Sequence, residues 1–221
     1  MLETIVGSEN VSEEPAILES YSFYYLQELV KGGTGTRLLP WTPGAVILPG
    51  STDEVQAIIK VCNQFKIKSK AQSSGWGPWD GYEQADTLII DLRRLNRILE
   101  IDSKNRYAVV EPYVSWAQLH AETMKLGLTF SMAGVGSHCS VLASYTAGLG
   151  MGPGNWSMGV TEKSVLGVEW VLPNSEILRL GSLGSGDGWF CGDGPGPSLR
   201  GLLRGEYGAM GGVRCSHQVR R

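Results

Sequence analysis

The sequence contains no apolar run approaching the roughly 18 residues that a helix needs to cross a bilayer. Its first residues, Met1-Leu2-Glu3-Thr4, carry neither the basic nor the apolar stretch of a secretion signal, so cytoplasmic residence is expected. Cysteine is sparse. Cys62, Cys139, Cys191 and Cys215 show no short paired spacing, which argues against a disulfide framework and against zinc. His120, His138 and His217 are equally dispersed, and Asp187 with Asp193 falls short of a calcium ligand set, so no metal is expected. His138 adjoins Cys139, but sequence neighbours seldom face one another, and no nucleophile pair is assigned there. Basic charge is not in surplus either. A net charge of −3 gives nucleic acid and acidic membrane surfaces no electrostatic footing. Gly-x-Gly-x-x-Gly is absent, because Pro153 stands where Gly148-Leu149-Gly150 would need its third glycine, and the P-loop pattern is absent as well.

What remains is an ordinary globular composition, 42% hydrophobic and 19% charged over 221 residues, enough for one large domain or two small ones. Glycine is the unusual count. Twenty of the 30 glycines follow Phe130, which divides a conventionally patterned first half from a second half of tight turns and close backbone approaches.

Residues 1–40 read as a helical lead-in. Ala45-Val46-Ile47-Leu48 is a short strand stopped by Pro49-Gly50, and Ser51 with Glu54 forms a capping box for a helix. Val55, Ile58, Ile59, Cys62 and Phe65 fall at helical spacing and predict one buried face. Strands are expected near Ile67, over 87–92, over 98–101 and over 107–111, and Ser115 with Gln118 opens a second helix that stops at Gly127. Val165 to Leu172 and Ile177 to Leu180 read as strands reversed at Pro173-Asn174-Ser175, and a short helix is expected over 198–203. Trp116 and Trp170 read as core. Strand and helix mixed throughout make the fold α+β, in two α/β subdomains over about 41–102 and 103–213.

One loop stands apart: Gln72-Ser73-Ser74-Gly75-Trp76-Gly77-Pro78-Trp79-Asp80-Gly81. Small residues crowd together without an apolar period. Glycine lets the backbone come close to a ligand, and consecutive main-chain N–H groups in such a turn form a concavity suited to phosphate.

Taken in order, six segments resemble the FAD-binding domain of the vanillyl-alcohol oxidase/p-cresol methylhydroxylase flavoproteins, from about Gly44 to Val213. They are the strand-Pro-helix passage Val46 to Val61, the Gly/Trp loop, and Val110-Glu111-Pro112-Tyr113-Val114-Ser115-Trp116. The others are Ser140-Val141-Leu142-Ala143-Ser144 through Gly148-Leu149-Gly150, then Gly167-Val168-Glu169-Trp170-Val171-Leu172-Pro173-Asn174, and Gly205 to Val213. The resemblance implies a p-cresol-methylhydroxylase-type fold, FAD as cofactor, and hydride transfer from an organic, hydroxylated substrate. Gln72, Ser73, Ser74, Gly75, Trp76, Gly77, Pro78 and Trp79 are then expected to wrap the pyrophosphate. Ser140, Ser144, Gly148 and Gly150 are expected along the flavin edge, with Pro112, Gly136 and Ser137 also at the cofactor and Gly212 and Val213 near the adenine or the ring.

Trp76 stands where some members carry the histidine that bonds covalently to the flavin, and an indole cannot form that link, so dissociable FAD is expected. Ser73 and Ser74 replace glycines, Gln72 and Ala147 stand at positions where arginine is common, and Tyr113 replaces a glycine. Members of the family continue into a second domain that supplies most substrate contacts. Here Arg214 to Arg221 is basic, has no strand pattern and does not resemble that continuation, so truncation before the substrate domain is expected. No catalytic residue is assigned. The alternatives are a non-catalytic FAD-binding subunit that pairs with a separate substrate-domain chain, and an inactive fragment; a homo-oligomer is also compatible.

Overall fold

The computed structural model describes residues 1–22, 42–74, 85–130, 136–146, 164–181 and 212–218. They belong to two compact units, Met1–Arg94 and Leu95–Arg221.

The first unit runs α1 (Leu2–Val6), a 3-10 turn (Ser8–Asn10), β1 (Val11–Ser12), α2 (Pro15–Ser20), β2 (Ala45–Ile47), α3 (Thr52–Phe65), β3 (Ser69–Gln72) and β4 (Leu88–Asp91). The lead-in is therefore more than helical. β1 pairs antiparallel with β2, and the remaining pairs are parallel, in the order β1-β2-β4-β3. Every residue of β4, Leu-Ile-Ile-Asp, is buried, as expected for a central parallel strand covered on both faces. The Ser51 hydroxyl accepts from Glu54 N–H at 3.1 Å, and Glu54 returns to Gly50 N–H at 2.7 Å rather than to Ser51 itself. Val55, Ile58, Ile59 and Cys62 are buried as the spacing predicts. Phe65 is not. It is 53% exposed, because α3 ends there: Lys66 takes left-handed φ of 54° and Ile67 N–H bonds back to Cys62 C=O at 2.8 Å. That closure uses Ile67, so β3 begins two residues later than expected, at Ser69.

The second unit contains β5 (Ile98–Asp102), β6 (Tyr107–Val110), α4 (Trp116–Lys125), α5 (Val141–Thr146), β7 (Val165–Val171), β8 (Ile177–Gly181) and β9 (Gly212–Gln218). Its sheet is antiparallel, in the order β5-β6-β9-β7-β8. Trp116 and Trp170 are both core, at 0% and 3% exposure. Trp116 stacks on Phe130 with centroids 5.2 Å apart and tilts against Tyr145 at 5.1 Å. The expectation that residues from Arg214 onward have no strand pattern is corrected by β9. Its ladder bonds go to β6 on one side (Ala108 opposite His217) and to β7 on the other (Val168 opposite Cys215). Strand partners that lie this far away in sequence supply what no local pattern signals. The helix expected over 198–203 lies outside the described residues.

Candidate functional site

In the first unit, Gln72, Ser73 and Ser74 sit at the carboxyl end of β3, where ligands of open parallel sheets bind. Gln72 C=O accepts from Leu92 N–H at 2.9 Å, the last rung before the chain leaves the sheet, and all three residues are partly buried. Gly75, Trp76, Gly77, Pro78 and Trp79 lie outside the described residues.

Opposite Gln72 in the ladder is Asp91, 1% exposed. Its carboxylate accepts from Arg93 N–H at 2.8 Å, from Arg93 Nε at 2.8 Å and from the Tyr21 hydroxyl at 2.6 Å. The Arg93 guanidinium lies over the Tyr21 ring, 5.7 Å from its centroid. This cluster was not singled out from sequence. A carboxylate that closes a fully apolar strand two residues before an arginine is the signal that could have found part of it; Tyr21, 70 residues away, leaves no local trace.

In the second unit, Ser140 is fully buried. Its hydroxyl donates to Pro112 C=O at 2.5 Å and accepts from Ala143 N–H at 3.0 Å, which caps α5. Ser144 accepts from Trp116 Nε1 at 3.4 Å. Gly136 C=O accepts from Cys139 N–H at 3.1 Å, and this turn docks on the start of α4: Ser137 C=O accepts from Ala117 N–H at 2.9 Å and Cys139 C=O from Trp116 N–H at 3.0 Å. The structure thus brings Pro112, Gly136, Ser137, Ser140 and Ser144 together around the first turns of α4 and α5. Burial pushes the Cys139 thiol above its ordinary value, the opposite of what a nucleophilic thiolate needs. Gly212 opens β9 opposite Trp170, and Val213 follows it in the strand. Gly148 and Gly150 lie outside the described residues. Glu111, the acidic residue before Pro112, is 4% exposed and holds Arg97 through its main-chain N–H at 2.7 Å and Nη2 at 2.6 Å. This clamp ties together the ends of β5 and β6.

Whether these groups suit FAD turns on charge. A diphosphate beside β3 needs hydrogen-bond donors and no naked carboxylate. Ser73 and Ser74 carry hydroxyls and main-chain N–H groups at this exit, and the single buried carboxylate in that ladder, Asp91, is matched by Arg93. The donor set fits the group.

A family profile described as FAD binding domain matches residues 43–181, more than half of the chain. An uncharacterised FAD-linked oxidoreductase of Mycobacterium tuberculosis is 32% identical over 182 residues, 80% of this chain and 37% of that protein. The glycolate oxidase subunit GlcD of Bacillus subtilis is 29% identical over 76% of this chain and 35% of its own. The chain thus spans little more than a third of the curated relatives it matches. Among solved structures, 4-ethylphenol oxidase from Gulosibacter chungangensis superposes with a TM-score of 0.80 at 28% identity, covering 99% of this chain and 41% of that one. The mixed α+β architecture and the order of its segments agree with these likenesses, and the chain belongs to the FAD binding domain family of the vanillyl-alcohol oxidase/p-cresol methylhydroxylase flavoproteins.

Proposed function

We propose that this chain is the FAD-binding part of a flavin-dependent oxidoreductase acting on an organic, hydroxylated substrate. The observation that carries the reading is the placement of Gln72-Ser73-Ser74 at the carboxyl end of a parallel strand inside the matched segment. Bound FAD supplies hydride-accepting chemistry. The chain's own share is to bind and orient it. Gln72 through Trp79 grip the pyrophosphate, Ser140, Ser144, Gly148 and Gly150 run along the flavin edge with Pro112, Gly136 and Ser137 beside them, and Gly212 and Val213 lie toward the adenine or the ring. The binding domain is taken as 41–213. Trp76 offers no nucleophilic nitrogen for a covalent link, so the cofactor dissociates.

Substrates in the names of the relatives, glycolate and 4-cresol, are both hydroxylated, which supports that class. Two relatives are named as subunits, and this supports a separate partner chain as a second reading. No helix among the described residues is long and apolar enough to cross a membrane, and cytoplasmic residence is part of the proposal.

The test is the visible spectrum of the purified chain before and after denaturation. A yellow protein that releases free FAD on unfolding is the expected result. Soluble, folded material that stays colourless and gives no flavin quenching on titration overturns the reading; flavin retained by the denatured chain overturns the non-covalent part alone.

A further inference from the structure

Asp91 lies in a place where a carboxylate ought to be unwelcome. It is buried at the carboxyl end of β4, in register with Gln72, the first residue of the segment assigned to the pyrophosphate. Burying a charge is costly unless it is paired and hydrogen-bonded, and a bare one here would also repel a diphosphate. Arg93 answers the charge, and its main-chain N–H bond to Oδ1 folds the chain back directly after β4. Tyr21 answers the remaining demand, donating to Oδ2 at 2.6 Å while its own oxygen accepts from Arg93 Nη2 at 2.8 Å. The phenol therefore fixes both members of the ion pair. Through the Leu92 N–H bond to Gln72 C=O, the orientation of this turn is shared with the root of the Ser73-Ser74 loop.

Tyr21 lies outside the segment matched by the family profile, which begins at residue 43. It follows α2, whose Leu18 packs with Val46 and Ile89 on the same sheet. We infer that Tyr21 is a positioning residue for the FAD pyrophosphate, acting through Asp91 and Arg93, so that the amino-terminal segment is a working part of the cofactor site. This rests on the FAD reading above.

The test is Tyr21→Phe in the full chain, with FAD affinity measured by flavin fluorescence quenching on flavin-free protein well below its melting temperature. The ring is kept, so the fold is expected to survive. Losing a hydrogen bond to a charged group predicts an FAD Kd raised by about threefold to tenfold. Val6→Ala is the control: it thins the buried face of α1 without touching the cluster. Its Kd should stay within about twofold of the parent, since distant core changes act on stability. A Tyr21→Phe Kd within about twofold of the parent, or an equal rise in Val6→Ala, overturns the inference and marks Tyr21 as merely structural. Parent protein that binds no FAD overturns the FAD reading itself, a separate outcome.

Discussion

Replacing Ser140 by alanine separates two uses of one hydroxyl. In the structure Ser140 is fully buried, donates to Pro112 C=O at 2.5 Å and accepts from Ala143 N–H at 3.0 Å. The alanine variant loses the cap on α5, about 1 kcal/mol for a serine N-cap. It also takes a donor from the buried Pro112 carbonyl, which costs about 1–3 kcal/mol. Together that is about 2–4 kcal/mol, or a melting temperature roughly 4–16 °C lower for a chain of this size. Thermal unfolding of flavin-free protein followed by tryptophan fluorescence reads it. Ser137→Ala is the matched control: its side chain is exposed and its contact to Ala117 is made by the carbonyl, so a change under about 0.5 kcal/mol is expected. If Ser140→Ala melts within about 1 °C of the parent while its FAD affinity falls tenfold, the hydroxyl serves the cofactor and the structural accounting here is wrong.

Trp116→Ala empties the centre of the second unit's core and should cost about 3–5 kcal/mol, whereas Trp116→Phe, which keeps a ring against Phe130, should cost less than half of that. Urea midpoints that coincide for the two variants would show that the stack is unimportant. Asp102 accepts from Asn105 N–H at 2.8 Å, Asn105 Nδ2 at 2.7 Å and Lys104 N–H at 2.9 Å, and these bonds, those from Asn105 foremost, hold its carboxyl below the ordinary 3.8. A depressed folded value means that its contribution is complete above 3.8 and is lost as pH falls through the lower folded value. The stability gap between parent and Asp102→Asn should therefore be widest at about pH 6 and shrink near pH 3; a gap equal at both refutes this.

What was legible in the sequence was local. Ser51 and Ser115 cap helices because a hydroxyl three residues before a main-chain N–H needs no distant partner. Even so, Gln118 does not complete its box, and its amide goes to Asn96 C=O instead. Periodicity found the buried face of α3 but could not tell where the core beneath it ended, so Phe65 was placed on the wrong side of that edge. β9 and the Tyr21–Asp91 bond leave no local signature for a common reason. Each is made by residues far apart in sequence, and nothing in Arg214-Cys215-Ser216 or in Tyr21-Ser22 alone announces the partner. The motif at Ser140 and Ser144 was visible, but the direction of the hydroxyls was not.

That direction bears on how such a chain holds a diphosphate without a glycine-rich helix start. A helix N-terminus binds anions through the free N–H groups of its first turn. In α4 those groups are taken: Trp116 N–H by Cys139 C=O, Ala117 N–H by Ser137 C=O, and Gln118 N–H by the Ser115 hydroxyl. In α3 the first turn carries Asp53 and Glu54, whose charges favour the helix and repel an anion. The first-turn N–H groups of α4 are thus occupied, and the first turn of α3 carries two carboxylates. Among the described residues of the first unit, the diphosphate donors proposed above lie at the exit of β3 and not at the start of α3.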